Sequence, residues 1–415
     1  MEAPPPEPRE LTSWKEIADR LGVTVRTAQN WERDLGLPAR HLPGPRGRVS
    51  ALAAELDRWK AGTTRPRPSP ARRRWCLAGA ALAAFAAALL AGMAWMRPGP
   101  PESFRFEPKS FLATDGRGRE IWRKTFPEPL RTASYTGQSL GSNRKVWIGD
   151  LDGDGRRETL LVYSPVTHER DGEVLYCFAE TGEETWRFTP GKAVSTGPGR
   201  EYASTYYVGT FLVMPLETGG PPRVIVTSHH ATYYPNQVAV LDHSGVVRGE
   251  YWHSGQLPWL QAADLDDDGR TDIVLAGISN SRRRATLVVL DGRDVRGASA
   301  EPEPYQLQGM EPARERARVF FPRTCIGRRS TEYNAVAGLG LANGTITIGV
   351  REYPFVHDAI VNYQLTGGLE VAGVDFFDAL RGLHRELEQS GHLDHRLTEE
   401  EVEGMKNLLI IRGPI

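Results

Sequence analysis

Two short acidic segments contain the residues whose types and spacing in this sequence are best suited to chemistry. The first reads DLDGDGRRE from Asp150, and the second reads DLDDDGRTD from Asp264. Each places a carboxylate at its first, third, fifth and ninth positions, and a glycine at the sixth, where the chain must turn sharply. Carboxylates that converge on one point repel each other unless a hard cation lies between them, and Ca²⁺ accepts such oxygen ligands. The pattern therefore predicts two Ca²⁺ sites.

The predicted ligands combine side-chain carboxylates with one backbone carbonyl in each segment. They are Asp150, Asp152, Asp154, Glu158 and the carbonyl of Arg156 in the first segment, and Asp264, Asp266, Asp268, Asp272 and the carbonyl of Arg270 in the second. Neither segment is an EF-hand, because Leu161 and Leu275 stand at the twelfth position, where that motif needs a bidentate Glu. The alternative is an acidic turn exposed to water, which the repetition of the whole pattern disfavours.

Apolar runs follow both acidic segments, and similar runs recur through the C-terminal part of the chain. Examples are TLLVY at 159–163, RVIVT at 223–227, DIVLA at 272–276 and TLVVL at 286–290. Gly, Asp and Pro bound these runs, which predicts short strands joined by turns. A degenerate third copy of the acidic pattern, at 215–227, lacks most of the carboxylates. We expect it to keep the fold and lose the metal.

A second signature, out of phase with the acidic segments, places Trp122, Trp186 and Trp252 at a regular spacing. Repeats of this length with four strands each are typical of propeller blades. The pattern resembles the FG-GAP/VCBS repeats of integrin-like propellers over roughly residues 109–370. The resemblance implies an all-β, propeller-like domain of about four to five recognisable units. It also implies ligand recognition by loops rather than catalysis.

The stretch Trp75–Met96 contains no charged residue and lies between Arg74 and Arg97. A helix of about 20 apolar residues crosses a bilayer, and aromatic residues at both ends are typical of the membrane interface. Lys and Arg are more frequent before the stretch than after it, which predicts a cytoplasmic N-terminus. Gly and Ala recur every four residues, a spacing that lets two spans pair into a homodimer.

Residues 10–62 have the pattern of a small helical domain. Ser13 and Glu16 form a capping box at the start of a helix over about 13–21, and a second helix is predicted over about 25–35. Ser50 is expected to cap a third helix. The segment WKEIADRLGVTVRTAQNWERDLGLP resembles the winged helix-turn-helix of the MerR and excisionase superfamily, which implies that the second helix enters the major groove of DNA.

The exposed face of that helix carries donors that suit base edges, although any solvated helix face is also polar. The residues expected near bases or phosphates are Arg26, Thr27, Gln29, Asn30 and Arg33, and those expected near phosphates are Arg40, Arg46 and Arg48. Residues 61–71 form a Pro-rich linker where MerR regulators continue into a dimerisation helix.

The remaining cysteines and histidines allow two interpretations each. Cys177 and Cys325 could form a disulfide, but two isolated thiols in predicted strands are more often simply buried. His384, His392, Asp394 and His395 could be described as a metal cluster, although ordinary solvated side chains are the favoured interpretation.

The chain is thus predicted to be multidomain. The expected parts are 1–9 disordered, 10–62 winged helix-turn-helix, 63–74 basic Pro-rich linker, 75–96 transmembrane helix, 97–108 Pro-rich linker, 109–373 propeller and 374–415 helical segment. This organisation predicts a single-pass transcription regulator of the bacterial inner (cell) membrane. Its N-terminus would bind DNA in the cytoplasm, and its periplasmic or extracellular Ca²⁺-binding propeller would sense an unknown ligand or protein.

Two alternatives remain open at this stage. One is a cell-surface adhesion or scaffold protein with a propeller binding module. The other is an exported propeller enzyme, which is disfavoured because the sequence has no nucleophile-elbow, zinc or phosphate-loop motif. We therefore expect a protein that is not an enzyme.

Overall fold

The computed structural model describes residues 9–41, 48–63, 85, 99–135, 144–167, 172–352 and 359–413. The chain divides into two compact units, Met1–Arg97 and Pro98–Ile415. Each unit has its own hydrophobic core and is treated by itself below.

The N-terminal unit combines short helices with a small sheet. Its elements are β1 (Glu10–Leu11), α1 (Trp14–Leu21), α2 (Val25–Leu35), β2 (Arg40–His41), β3 (Val49–Leu52) and α3 (Ala53–Thr63). The hydroxyl of Ser13 accepts the backbone N–H of Glu16, which begins α1, and Gly22 ends it with a φ of 71°. The third helix begins later than predicted: Ser50 pairs with Arg40 in the β2–β3 ladder instead of capping α3.

Strands are the main regular elements of the C-terminal unit. In chain order they are β4 (Ser103–Glu107), β5 (Ser110–Thr114), β6 (Glu120–Thr125), β7 (Val146–Gly149), β8 (Glu158–Tyr163), β9 (Val174–Phe178), β10 (Glu184–Phe188), β11 (Val194–Ser195), β12 (Glu201–Tyr202), β13 (Tyr206–Pro215), β14 (Pro222–His230), β15 (Asn236–Leu241), β16 (Val247–His253), β17 (Trp259–Ala263), β18 (Asp272–Ser279), β19 (Arg284–Asp291), β20 (Arg296–Ala298), β21 (Glu315–Phe320), β22 (Ala335–Ala342), β23 (Thr345–Arg351), β24 (Ile360–Thr366), β25 (Val371–Phe376) and β26 (Leu409–Arg412).

Three α-helices occur among the described residues of this unit: α4 (Cys325–Arg328), α5 (Asp378–Gln389) and α6 (Glu399–Gly404). The segment 374–415, which was predicted to be helical, is helical only in part, because β26 pairs antiparallel with β21 at the end of the described chain. The predicted linker 97–108 likewise contains a strand, β4.

The main sheets are antiparallel meanders that follow one another along the chain. Their strand orders are β4-β5-β6, β7-β8-β9-β10, β13-β14-β15-β16-β20, β17-β18-β19-β21-β26 and β22-β23-β24-β25, and a small ladder joins β11 to β12. Only the pairing of β16 with β20 is parallel among the described ladders. The mainly β fold expected for this half of the chain is therefore confirmed.

Successive sheets pack face to face, and the inner strands are buried on both sides. On β14, Val224 and Val226 face the sheet before it, while Ile225 between them faces the sheet after it. All three are fully buried. Side chains alternate between faces along a strand, so a strand covered on both faces reads as a continuous apolar run. This explains why the runs found in the sequence do not alternate with polar residues.

The sheets form an open series in the described part of the chain. Core clusters join the first sheet to the second, the second to the third, the third to the fourth and the fourth to the fifth. No cluster among the described residues joins the fifth sheet back to the first.

The predicted membrane span, Trp75–Met96, lies outside the described residues apart from Phe85. Within the described ranges, no helix is both long and apolar enough to cross a membrane. Helix α5, for instance, has 12 residues and is about 18 Å long, whereas a bilayer core is about 30 Å thick. This finding contradicts the predicted single-pass localisation in the bacterial inner membrane, with a cytoplasmic N-terminus and an exported C-terminal domain.

Candidate metal centre

Both acidic segments occupy the same position in their sheets. The first, which we call loop 1 (Asp150–Glu158), joins β7 to β8, and the second, loop 2 (Asp264–Asp272), joins β17 to β18. Pairing of Gly149 with Glu158 closes loop 1, and pairing of Ala263 with Asp272 closes loop 2. In each loop the ninth-position carboxylate is therefore the first residue of the second strand, and the strand ladder fixes its position.

Loop 1 is folded around the carboxylate of Asp150. That carboxylate accepts the backbone N–H of Gly153 at 2.7 Å and of Gly155 at 3.0 Å. Both glycines have a φ of 84°, in the left-handed region that glycine adopts without steric cost. The carboxylate of Glu158 accepts the N–H of Leu151 at 2.8 Å. The backbone thus orients the first- and ninth-position carboxylates toward the same side of the loop.

The carboxylates of loop 1 converge on one point. One oxygen each from Asp150, Asp152 and Glu158 lies within 4.8 Å of the others, a group of atoms that could hold a metal ion. Asp154 is not part of this group, and it accepts the N–H of Arg156 at 2.7 Å. Burial raises the pKa of Glu158, and the negative charges of Asp152 and Asp154 raise it further. A cation at this point would relieve that repulsion, so the donor set fits Ca²⁺.

Loop 2 assembles a different set from the same pattern. Asp264 accepts the N–H of Gly269 at 2.7 Å and of Asp268 at 3.1 Å, much as Asp150 does in loop 1. Here the carboxylates that meet within 4.8 Å belong to Asp264, Asp266 and Asp268. The ninth-position residue, Asp272, is not among them.

The arrangement of Asp272 follows from an arginine on another strand of the same sheet. Arg316 on β21 forms ion pairs with both Asp266 and Asp272. Burial raises the pKa of Asp272, although the guanidinium of Arg316 acts in the opposite direction. In loop 2 the guanidinium of Arg316 therefore already neutralises two of the carboxylates predicted to bind metal. No arginine forms such a pair with Asp152 or Glu158 in the described part of loop 1.

The degenerate third copy joins β13 to β14 and packs against loop 2. The N–H of Thr218 donates to the carbonyl of Gly269 at 3.3 Å, and the N–H of Thr271 donates to the carbonyl of Leu216 at 3.0 Å. This turn has the same place in its sheet as loops 1 and 2. Among the described residues it contributes to no group of three metal-binding side chains.

The tryptophans of the second sequence signature lie on β6, β10 and β16 of the first three sheets, and a tight turn precedes each of these strands. In the β15–β16 turn, Asp242 accepts the N–H of Ser244 at 2.9 Å and pairs with Arg248. Burial alone would raise the pKa of Asp242, but bonds from Ser244 and Arg248 outweigh it and lower the pKa to about 2. This acidic turn is stabilised without a metal.

A further cluster combines two of the histidines noted in the sequence with residues that local spacing does not connect to them. Cys325, His384, His395 and Glu401 place their ligand atoms within 4.8 Å of one another. The sequence favours solvated side chains for His384 and His395, and a buried thiol rather than a disulfide for Cys325. Both Cys177 and Cys325 are free thiols.

The predicted DNA-contacting residues lie in the N-terminal unit, except that Arg46 falls outside the described residues. Arg26, Gln29 and Asn30 are exposed on α2, and Arg48 is exposed before β3. Thr27 contacts the Thr24 hydroxyl at 2.8 Å. Arg33 pairs with Asp34 at 2.9 Å, and Arg40 pairs with Glu55 at 3.2 Å. Two of the arginines expected to contact DNA thus pair with acids of their own unit, which the pattern did not predict.

Comparison with known proteins gives no family. No family model matches the chain, and no curated protein matches its sequence. Solved structures with some similarity include BBS1N in complex with ARL6DN. It is 9% identical, the match covers 68% of this chain and 69% of that chain, and the TM-score is 0.35. The Dos1 propeller has 12% identity, 65% and 53% coverage and a TM-score of 0.33. The exotype rhamnogalacturonan lyase YesX has 14% identity, 63% and 47% coverage and a TM-score of 0.26. Likenesses at this level carry no argument about function.

These findings correct the recognition made from the sequence. Assignment to the MerR and excisionase superfamily, to a membrane-spanning regulator and to the FG-GAP/VCBS family is wrong, because no family model matches and no described helix can span a membrane. The description of the protein as a DNA-binding helix-turn-helix regulator depended on that assignment and is therefore also wrong. The mainly β architecture of the C-terminal unit stands independently of these assignments.

Proposed function

We propose that residues 98–415 form a Ca²⁺-stabilised binding module of stacked, propeller-like sheets that acts as an adhesion or scaffold protein rather than as an enzyme. The observation that carries this proposal is the convergence of Asp150, Asp152 and Glu158 within 4.8 Å. Loops joining stacked strands are common sites of recognition, because a rigid scaffold positions them. A metal in loop 1 fixes one such connection in a single conformation.

The role of the metal is structural in this proposal. Loop 1 would hold Ca²⁺ through Asp150, Asp152 and Glu158, and loop 2 through Asp264, Asp266 and Asp268. The predicted fifth-position ligand Asp154 and the ninth-position ligand Asp272 have secondary roles, since neither lies in its cluster. The carbonyls of Arg156 and Arg270 remain predicted ligands. Bound Ca²⁺ supplies the positive charge that lets the carboxylates stay close together.

A protein partner is favoured by the edge of the fourth sheet. Strand β26 has a neighbour only on its β21 side among the described ladders. The apolar side chains of Leu409 and Ile411, two residues apart, are both 44% exposed. An extended segment of a partner protein can add to such an edge through backbone hydrogen bonds, with side-chain contacts giving specificity.

The test measures metal binding and partner binding in one set of samples. Calorimetric titration of the full chain with Ca²⁺ is expected to show binding that the Asp152→Asn variant weakens. Affinity capture from cells of the source organism, with Ca²⁺ and with a chelator, should then retain a partner only when loop 1 is loaded. Asp294→Asn is the control, because Asp294 is an acidic turn residue paired with Arg296. Absence of Ca²⁺ binding would overturn the proposal, as would capture that ignores both Ca²⁺ and Asp152→Asn.

A further inference from the structure

Four side chains from separate parts of the C-terminal unit meet beside the fourth and fifth sheets. Cys325 begins α4, His384 lies on α5, His395 lies between α5 and α6, and Glu401 lies on α6. Their ligand atoms lie within 4.8 Å of one another. Thiolate, imidazole and carboxylate are the ligand types that Zn²⁺ uses in proteins, and four of them close its tetrahedral shell.

The distances suit a tetrahedral ion. His395 Nε2 lies 3.4 Å and His384 Nε2 lies 3.8 Å from Oε2 of Glu401. With metal–ligand distances of about 2.0–2.3 Å, neighbouring ligands of tetrahedral zinc are about 3.3–3.7 Å apart. The planes of the two imidazole rings are nearly perpendicular, and the ring centroids lie 5.3 Å apart. Small side-chain movements would therefore complete the coordination.

The burial of the polar atoms is the independent observation. His384 is only 2% exposed. Its Nε2 and both carboxylate oxygens of Glu401 are buried without a hydrogen-bond partner. Buried polar atoms in native proteins nearly always have partners. Nε2 of His384 and Oε2 of Glu401 lie 3.8 Å apart, and two unpartnered buried atoms at this separation indicate that a ligand belongs between them.

A neighbouring carboxylate orients His395 toward the same ligand. Its Nδ1 donates to the carboxylate of Asp394 at 3.0 Å, which leaves Nε2 free to bind on the side of Glu401. A carboxylate that orients a histidine in this way is a common outer partner in zinc sites. The hydroxyl of Thr398 accepts the N–H of Glu401 at 3.1 Å, which fixes the start of α6 and the position of Glu401.

We propose that Cys325, His384, His395 and Glu401 form a structural Zn²⁺ site. The ion joins α4, which follows the fourth sheet, to α5 and α6, which follow the fifth. It thereby fastens the segment that leads from the fifth sheet back to β26. This site is separate from loops 1 and 2 in residues and in ligand chemistry.

The test uses the full chain and the metal alone. After exhaustive dialysis, about one equivalent of zinc should remain by elemental analysis, and a Co²⁺-exchanged sample should show the absorption band of a thiolate bound to cobalt. Cys325→Ser is expected to abolish that band and His395→Ala to weaken zinc retention strongly. Asp394→Asn should lower the affinity by about 10–100-fold.

Matched controls separate the site from adventitious binding. Cys177→Ser should keep the cobalt band, because Cys177 is buried in another core cluster. His392→Ala should keep the zinc, because His392 is exposed nearby but outside the cluster. Asp152→Asn should leave zinc content unchanged, so failure of this site and failure of the Ca²⁺ proposal are distinguishable. A chain that takes up no zinc, or variants at Cys325 and His395 that bind it as well as the controls do, would overturn the assignment.

Discussion

Loops 1 and 2 share a sequence pattern and a place in the fold, yet their carboxylates are arranged differently. In loop 1 the ninth-position Glu158 joins Asp150 and Asp152, whereas in loop 2 Asp268 joins Asp264 and Asp266. We attribute the difference to Arg316, which pairs with Asp266 and also with Asp272, the residue left out of the loop 2 cluster. The comparison shows that the sequence pattern determines which carboxylates a loop contains. An arginine distant in the sequence determines for which of those carboxylates a metal ion must compete.

The largest expected effect is the loss of the loop 1 metal. At a Ca²⁺ concentration of about 100 times Kd, binding to the folded state alone adds about 2.7 kcal/mol to the free energy of unfolding. Asp152→Asn removes one charge of the loop 1 cluster and should abolish most of this gain in denaturant titrations with Ca²⁺. The equivalent change in loop 2, Asp266→Asn, should abolish less, because Arg316 already offsets that charge. Equal losses in the two variants would break the comparison.

A second prediction concerns Arg316 itself. Arg316→Gln should raise the Ca²⁺ affinity of loop 2 by about tenfold, or about 1.4 kcal/mol, because the metal no longer competes with the guanidinium. Without Ca²⁺ the same variant should be less stable, since the carboxylate of Asp272 is 1% exposed and loses its partner. Calorimetry and thermal unfolding with and without Ca²⁺ would measure both effects.

Arg314→Gln is the control for that variant. Arg314 lies just before β21 and pairs only distantly, at 3.9 Å, with Asp294. It should change neither Ca²⁺ affinity nor stability. An Arg316→Gln variant with unchanged Ca²⁺ affinity would show that the guanidinium does not control loop 2.

The fifth position offers a finer comparison between the loops. Asp268 belongs to the loop 2 cluster, but Asp154 does not belong to the loop 1 cluster. Because ligand charge tunes Ca²⁺ affinity, Asp268→Asn should weaken loop 2 by about tenfold and Asp154→Asn should weaken loop 1 by about twofold. Equal effects in calorimetric titrations would mean that the two loops bind the metal alike.

The smallest effect concerns an acidic turn that needs no metal. Asp242→Asn should cost about 1 kcal/mol of stability at neutral pH, because bonds from Ser244 and Arg248 favour the charged carboxylate. The pKa of Asp242 is lowered from 3.8 to about 2, so this stabilisation is present above pH 3.8 and is lost as the pH falls through 2. Denaturant titrations across this range should show the difference shrinking, with no dependence on Ca²⁺. A Ca²⁺-dependent difference would show that Asp242 also acts in metal binding.

Local patterns were sufficient to predict loops 1 and 2 and the strands around them. The run 223–227 predicts its strand because burial on both faces removes the need for alternation. Arg316 could not be predicted as a loop 2 residue, since it lies 44 residues after Asp272 and reaches it only through sheet pairing. The same reason hid the Cys325 cluster, whose members come from three helices and a connecting segment. The N-terminal helices followed their capping residues, but the pairing of Arg33 with Asp34 and of Arg40 with Glu55 was not predicted.

The pairing of β26 with β21 has a consequence for the order in which the chain folds. The first, second and fifth sheets are built from neighbouring hairpins alone, whereas Ala317 must wait for Arg412 to complete the fourth sheet. Closing so long a loop delays a contact, because the entropy of the intervening chain must be lost before the contact forms. We expect the hairpin ladders to become protected first and the β21–β26 ladder last, an order that pulse-labelling hydrogen exchange during refolding would reveal. Until then β21 is an open edge of its sheet, so the newly made protein is most exposed to wrong strand pairing there.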